Sequence, residues 1–374
     1  MDKPPFLLIG NPENRRVSLF QQALASQGLP PAQVVPWLEL LRGPAVLEDL
    51  PDTERLVRID SAGENFEVHK ALLALGHEDA VALGCAVLPP EELSALPEDR
   101  GRILCPRQYH LGFLRILKRL EALFAARPRW RVLSSPASIA QLFDKRLTSR
   151  EYATRGIPVP PVLEGVSDVE SLRARMREEG WSEVFVKLSC GSSASCLGIY
   201  RLNRSDESLF TTIEQTDTGW YNTLNVHRER DPARVEAAVT FLLREGSQVE
   251  RAMPKARLRG DYFDCRVLTV GGEPAFTVLR QSRHPITNLH LGGKRGDMEH
   301  FLSEVPPREL EAAMETCRQV ARVHDCLHVG IDLMYDEFFA GHRVLEANAF
   351  GDLLPNLRRD GLSVYEWEIR EALR

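Results

Sequence analysis

The tightest constraint on this chain is the run from 328 to 348, HVGIDLMYDEFFAGHRVLEAN. His328 to Tyr335 alternates small or polar with apolar residues, and His342 to Ala347 does the same beyond a loop containing Gly341, so the run reads as a β-hairpin. With the turn centred near Phe339, Asp332 faces Glu346 across the pair, and Asn348 follows on the same face because strand side chains alternate sides. An acid opposite an acid is destabilising, so the face either carries solvated acids or asks for a cation. Hard oxygen donors of this kind suit magnesium, which keeps its remaining positions for water and phosphate.

Two lysines far upstream have settings that single them out. In RVLSSPASIAQLFDKRLTSREYA a short strand leads to a helix start at Ser134-Ser135-Pro136, with Ile139, Leu142 and Phe143 on one helical face. A second helix runs to Ala153 and stops before Gly156, since Pro158, Pro160 and Pro161 forbid its continuation. Lys145 therefore falls at a junction between helical segments, either solvated or held for a purpose. Lys187 lies in EVFVKLSCGSSASCLGIYRL, where Val184 and Val186 alternate with Phe185 and Lys187 along a strand. The Gly191-Ser192-Ser193-Ala194 loop after it is either a plain turn or a wrap of backbone amides for phosphate oxygens, and no GK[ST] makes it a Walker A motif.

The rest of the chain supplies a frame. PFLLIG reads as a buried strand running into a helix from about Val17 to Gln27, with Arg15 and Arg16 at its start available to an anion or simply structural. Further strands are expected at 33–36, 55–59 and 102–104, and helices at 66–75 and 109–126. Residues 165–182 and 204–245 read as helices and loops, with WYNTLN at 220–225 as a contact segment. Glu250, in QVERAMP, either meets water or accepts from an amino group of a base. CRVLTVGGEPAFTVLRQSR gives two strands around Gly271-Gly272. Arg266, Arg280 and Arg283 then fall near one sheet end, where they repel unless an anion or carboxylates sit among them or they face water. A loop from 284 to 297 carries Asn288, and an amphipathic helix over 307–325 presents Leu310, Met314, Cys317 and Ala321 on one face.

Charge and cysteine content narrow the class. A net charge of -6 with pI near 6.0 and no dominant basic run gives no electrostatic reason for a nucleic-acid partner. No stretch reaches the roughly 18 apolar residues of a membrane span, and the start is too weakly apolar for a signal peptide, so a cytoplasmic protein without a membrane partner is expected. Seven cysteines without a CxxC pair read as reduced thiols. A chain of 374 residues suggests two or three domains, and an oligomer stays open.

Taken in order, DK with GIPVPP, VFVKLSCGSSA, VERAMP, DCRVLTVGGE, RQSRHPITNLHLGG and GIDLMYD with VLEANAFGDL resemble the ATP-grasp superfamily. Their order is similar to that in its ribosomal-protein glutamate ligases. The resemblance implies an α/β (α+β) chain: an N-terminal α/β domain over 1–129, a linker helix and small lobe over 130–246, and a C-terminal lobe with the metal hairpin over 247–374. It implies that Lys145 and Lys187 contact ATP phosphates beneath a loop of Gly191, Ser192, Ser193 and Ala194. Glu250 and the backbone around Ala252 and Met253 would hold adenine, and Asp264 or Asp261 the ribose. Asn288 would help bind the phosphoryl group or metal, and Asp332, Glu346 and Asn348 one or two magnesium ions, with manganese as a substitute. Arg280, with Arg283 beside it, would stabilise the transferring phosphoryl group. The implied activity joins a carboxylate to an amine through an acylphosphate, on small molecules or on a peptide; a non-catalytic ATP-binding module is the alternative. Asn348-Ala349-Phe350-Gly351 departs from the asparagine, small residue, proline, glycine usual in the glutamate ligases, a change at the acceptor site. Acceptor specificity is expected in 1–129 and 284–297.

Overall fold

A computed structural model describes residues 4–190, 196–204 and 206–374. Four short strands open the architecture as a parallel sheet, in the order Gln33–Pro36, Phe6–Gly10, Arg55–Ile59, Trp130–Val132. Phe6–Gly10 and Arg55–Ile59 are buried along their whole length, as central parallel strands must be when both faces are covered. Phe6 and Leu8 pack with Phe20, Tyr365 and Ile369, whereas Leu7 and Ile9 pack with Leu72, Phe113 and Leu117. One face is therefore closed by the C-terminal helix Val364–Ala372, more than 300 residues from the strand it covers.

The middle of the chain makes a five-stranded antiparallel sheet, in the order Gly219–Glu229, Glu207–Thr216, Leu197–Leu202, Glu183–Leu188, Ser247–Arg251. Helices Val169–Glu178 and Pro232–Arg244 back it, and Leu172, Val184, Val186, Val235 and Leu242 share one core. The expectation of helices and loops over 204–245 is corrected here, because 207–229 is largely a two-stranded ribbon turning at Asp217-Thr218. Its signal was the β-branched run Thr211-Thr212-Ile213, a composition that suits a pleated surface. Residues 102–104 likewise form no strand of the parallel sheet. Arg102 makes a single bridge to Tyr221, and the Ile103 amide donates to the Trp220 carbonyl at 2.8 Å.

A third sheet carries the opening hairpin. Its order is Lys294–Arg295, Glu273–Ser282, Asp261–Val270, His328–Tyr335, His342–Asn348, with Arg257–Leu258 paired to Asp261–Val270. The Gly271-Gly272 turn forms where expected, both residues at positive φ. Helix Pro307–Val323 lies against this sheet through Ala313, Cys317 and Val320, in an apolar core continuous with residues of the parallel sheet and its helices. None of the described helices is long and apolar enough to cross a membrane.

Candidate active site

The hairpin pairs Asp332 with Glu346 and Gly330 with Asn348. A bulge between Asp332 and Leu333 shifts the register so that Leu333 faces Val344, and both Leu345 and Glu346 reach the same cavity. All eight residues of His328–Tyr335 are buried, Asp332 among them. Such an acid needs partners. Both Asp332 oxygens accept from Arg266, and Arg280 Nη2 lies 3.0 Å from Oδ1. Burial pushes the Asp332 carboxyl up, but the two guanidiniums outweigh it and hold the group down at about 2. Arg280 also binds Asp264 at 2.6 Å, and Asp264 accepts in addition from the Thr287 hydroxyl.

Lys187 projects from the half-buried phase of its alternating strand, and its Nζ meets Glu250 Oε1 at 2.5 Å. Gln248 Nε2 donates to the other Glu250 oxygen at 3.1 Å. Lys145 opens the helix Lys145–Thr154, whose start is capped by the Asp144 side chain. Its amide donates to the Ser189 carbonyl at 2.9 Å, which ties the helix start to the end of the Lys187 strand. Lys145 Nζ then lies 3.6 Å from Glu346 Oε1. A lysine from a helix start, a lysine from the middle sheet and the hairpin acids are thereby brought to one place.

That place is a cavity of about 670 Å³. Lys145, Lys187, Glu250, Met253, Asp264, Arg280, Asn288, Asp332, Glu346 and Asn348 all line it. Among its described lining residues, nine are basic and five acidic, in a chain of net charge -6. An excess of cations around empty volume, in a protein that is anionic overall, is a field for an anionic ligand. Apolar side chains of Phe185, Met253, Met334 and Leu345 line the same space.

Other expectations fare differently. Arg283 is exposed and does not line the cavity, because it falls past the end of the strand Glu273–Ser282 whose Arg280 points inward. Ala252 does not line it either, and its amide is spent on the Glu183 carbonyl at 3.1 Å, which removes it as a donor to a base. Between the two acids left open, Asp264 lines the cavity and Asp261 instead pairs with Lys294 at 3.0 Å. Gly191, Ser192, Ser193 and Ala194 lie outside the described residues. The flanking thiols are pushed up by burial, Cys190 to about 11 and Cys196 to about 12, away from the thiolate that a nucleophile needs.

Three lining residues were not singled out for the site in the sequence. Arg266 was legible only as one of three crowded arginines; the carboxylates that relieve the crowding are Asp332 and Asp264. Thr287 sits in the 284–297 loop without a motif. Lys255 is buried with its Nζ on the Pro285 carbonyl at 3.1 Å, and burial lowers its pKa against the pull of Asp264. No spacing in Met253-Pro254-Lys255 announces it.

The donor set fits magnesium. Two carboxylates that are register partners, one of them held ionised, and an amide line one cavity beside cationic groups suited to phosphate; Asp332 would share its oxygens between Arg266 and the ion.

No protein-family model matches the chain, and no curated protein matches its sequence. Solved structures do. The chain is similar to D-cycloserine synthetase DcsG at 14% identity and TM-score 0.55, over 99% of each chain. It is similar to the ATP-grasp ligase PsnB, solved with precursor peptide PsnA2 and AMPPNP, at 13% identity and TM-score 0.52, over 100% of this chain and 98% of that one. N5-carboxyaminoimidazole synthetase from Staphylococcus aureus, complexed with ADP, matches at 8% identity and TM-score 0.52, over 100% of this chain and 78% of that one. Identities this low speak for architecture alone, and the architecture agrees from end to end: the chain has the fold of the ATP-grasp superfamily.

Proposed function

We propose that the protein is an ATP-dependent ligase that joins a carboxylate to an amine, releasing ADP and phosphate. One observation carries this reading: Lys145, Lys187 and the Asp332, Glu346 and Asn348 donors line a single cavity with a surplus of positive charge. Lys145 and Lys187 would hold the phosphates, with Glu250 orienting the Lys187 ammonium. Phe185 and Glu250 are register partners on adjacent strands, so a flat base beside Met253, Met334 and Leu345 would meet apolar surface and a carboxylate together. Asp264 would take the ribose hydroxyls.

The chemistry follows from those placements. A carboxylate oxygen attacks the γ-phosphorus and ADP leaves; the amine then attacks the acyl carbon, phosphate leaves and the amine loses its proton. Arg280, fixed by Asp264 and Asp332, would face the charge that gathers on the transferring phosphoryl oxygens without reorganising. Asn288 would assist from the 284–297 loop. One or two magnesium ions, held by Asp332, Glu346 and Asn348, would screen the phosphate charge. The seven cysteines are unbridged, which suits the reducing cytoplasm we take as its setting.

The test is ADP release by the purified protein with ATP and magnesium, with and without a metabolite extract, followed by mass spectrometry of the product. Release that requires added acid is expected, and Lys187→Ala should lose nucleotide affinity. Tight ATP binding without turnover under any addition would instead leave a non-catalytic ATP-binding module. A peptide acceptor is the second reading, favoured by the likeness to PsnB with its precursor peptide, and the same mass spectra would show it as a modified peptide.

A further inference from the structure

We propose that the acid accepted by this cavity carries a bulky apolar or aromatic side chain, seated on Phe143 and Phe350 with the buried Phe113 behind them; the inference rests on the ligase reading above. All three rings line the cavity. Phe143 lies 4.9 Å from Phe113 and 5.6 Å from Phe350, ring centre to ring centre, so they form one continuous wall. Phe143 is two residues before Lys145, and Phe350 two residues after Asn348. Two residues of chain span at most about 7 Å. The wall therefore adjoins both the first phosphate lysine and the last oxygen donor, where a carboxylate must come to meet the γ-phosphate.

The wall is also held still. The Phe350 carbonyl accepts from Arg16 Nη2 at 2.8 Å, and Asp352 two residues on is ion-paired with Arg16 at 2.5 Å and with Arg58. Between them Gly351 presses on Gly330: a Cβ on Gly351 would come within 2.5 Å of the Gly330 Cα. These contacts hold the backbone on both sides of Phe350, so its ring is offered from one place.

Charge argues the same way. Of the five described acids lining the cavity, Glu250, Asp264, Asp332 and Glu346 already face lysines or arginines, and Glu64 accepts from Asn14. A cationic side chain would find no waiting carboxylate among these, and a polar side chain laid on the rings would lose its water there without a partner; the surplus of cations lies with the phosphates. A difference of one methylene in an apolar pocket is worth roughly 10–200-fold in kcat/KM.

The experiment follows acyl activation with hydroxylamine as nucleophile, so that the natural amine is not required, and reads hydroxamate formation at saturating ATP and magnesium. Phenylalanine and leucine should exceed aspartate, glutamate and lysine by at least about 10-fold in kcat/KM. Phe350→Ser should erase most of that preference with the KM for ATP held, and Phe350→Leu should restore it for leucine; a folding defect would move the ATP KM in both. Hydroxamate formed best from a charged acid, or a preference untouched by Phe350→Ser in a folded variant, overturns the inference and leaves the ligase reading standing. ATP binding with no hydroxamate from any acid, in this panel or in a wider extract, removes both.

Discussion

Two clusters of arginine and carboxylate flank the loop 349–352 and behave in opposite ways. On one side Arg266 and Arg280 meet Asp332 and Asp264 at the wall of the cavity. On the other, Arg58 lies 2.7 Å from Glu368 and also binds Asp352, with Asp60 and His328 close by, and all five are buried away from solvent. The inner cluster compensates itself: two arginines, Arg16 and Arg58, stand among three acids, and burial together with the Asp352 charge pushes the Glu368 carboxyl up to about 8 against Arg58. The acids of this cluster are taken up by Arg16 and Arg58 inside the core. The cavity cluster is also balanced in itself, but the lining around it, nine basic residues against five acidic, keeps a surplus of cations facing open volume. The contrast teaches that ion pairs alone do not mark a site; uncompensated charge beside space does.

The inner cluster also includes a trio, His328, Asp352 and Glu368, with ligand atoms within 4.8 Å of one another. Arg58 on two of the three already supplies the positive charge a metal would bring, which makes the trio a structural element that ties the parallel sheet, the hairpin and the C-terminal helix together.

The contrast can be attacked first through Arg58. Replacing it with methionine strands Asp352 and Glu368 in the core, and an unfolding free energy lower by about 3–5 kcal/mol is expected from denaturant titration. A change below about 1 kcal/mol would mean that the inner cluster does not depend on its arginine. On the cavity side Glu346→Gln should do the reverse, with ADP formation down roughly 10²–10³-fold. Its unfolding midpoint should barely move, because a partly exposed carboxylate 3.6 Å from a lysine adds only about 0–1 kcal/mol.

Acid comes next in size. Burial lowers His110 and His324 to about 4, so both stay neutral in the fold while their unfolded counterparts gain a proton below about 6.5. The unfolded state then binds more protons between those pH values, and stability falls as pH drops through that window, by about 1.4 kcal/mol per unit for each histidine at most. Urea midpoints at pH 7, 6 and 5 should decline, and His324→Gln should flatten the decline. A pH slope in His324→Gln equal to that of the parent would contradict a neutral, dry His324. The smallest effect belongs to the exposed pair Arg150 and Glu164 at 3.2 Å, where Arg150→Ala should cost under about 0.5 kcal/mol. A larger loss there would show that surface pairs matter more than the contrast allows.

Local pattern carried the hairpin a long way. The alternation around Asp332 and Glu346 leaves only one face for both acids, so their opposition could be read from residue order, and the structure has them as register partners. The Gly271-Gly272 turn and the helix Pro307–Val323 were legible for the same reason, since each is settled by neighbours within a few residues. The ribbon over 207–229 was hidden because its residues alternate weakly and it gains its identity by pairing with Leu197–Leu202.

Only the folded chain could choose among the arginines, sending Arg266 and Arg280 to buried carboxylates and leaving Arg283 in water. Lys255, Arg16 and the aromatic wall depend on contacts between segments as much as 336 residues apart, such as Arg16 on Asp352. Periodicity reports which face of an element is dry, because that is a property of one strand or helix. Which distant charges share a cavity is decided by how the sheets pack, and no local spacing encodes it.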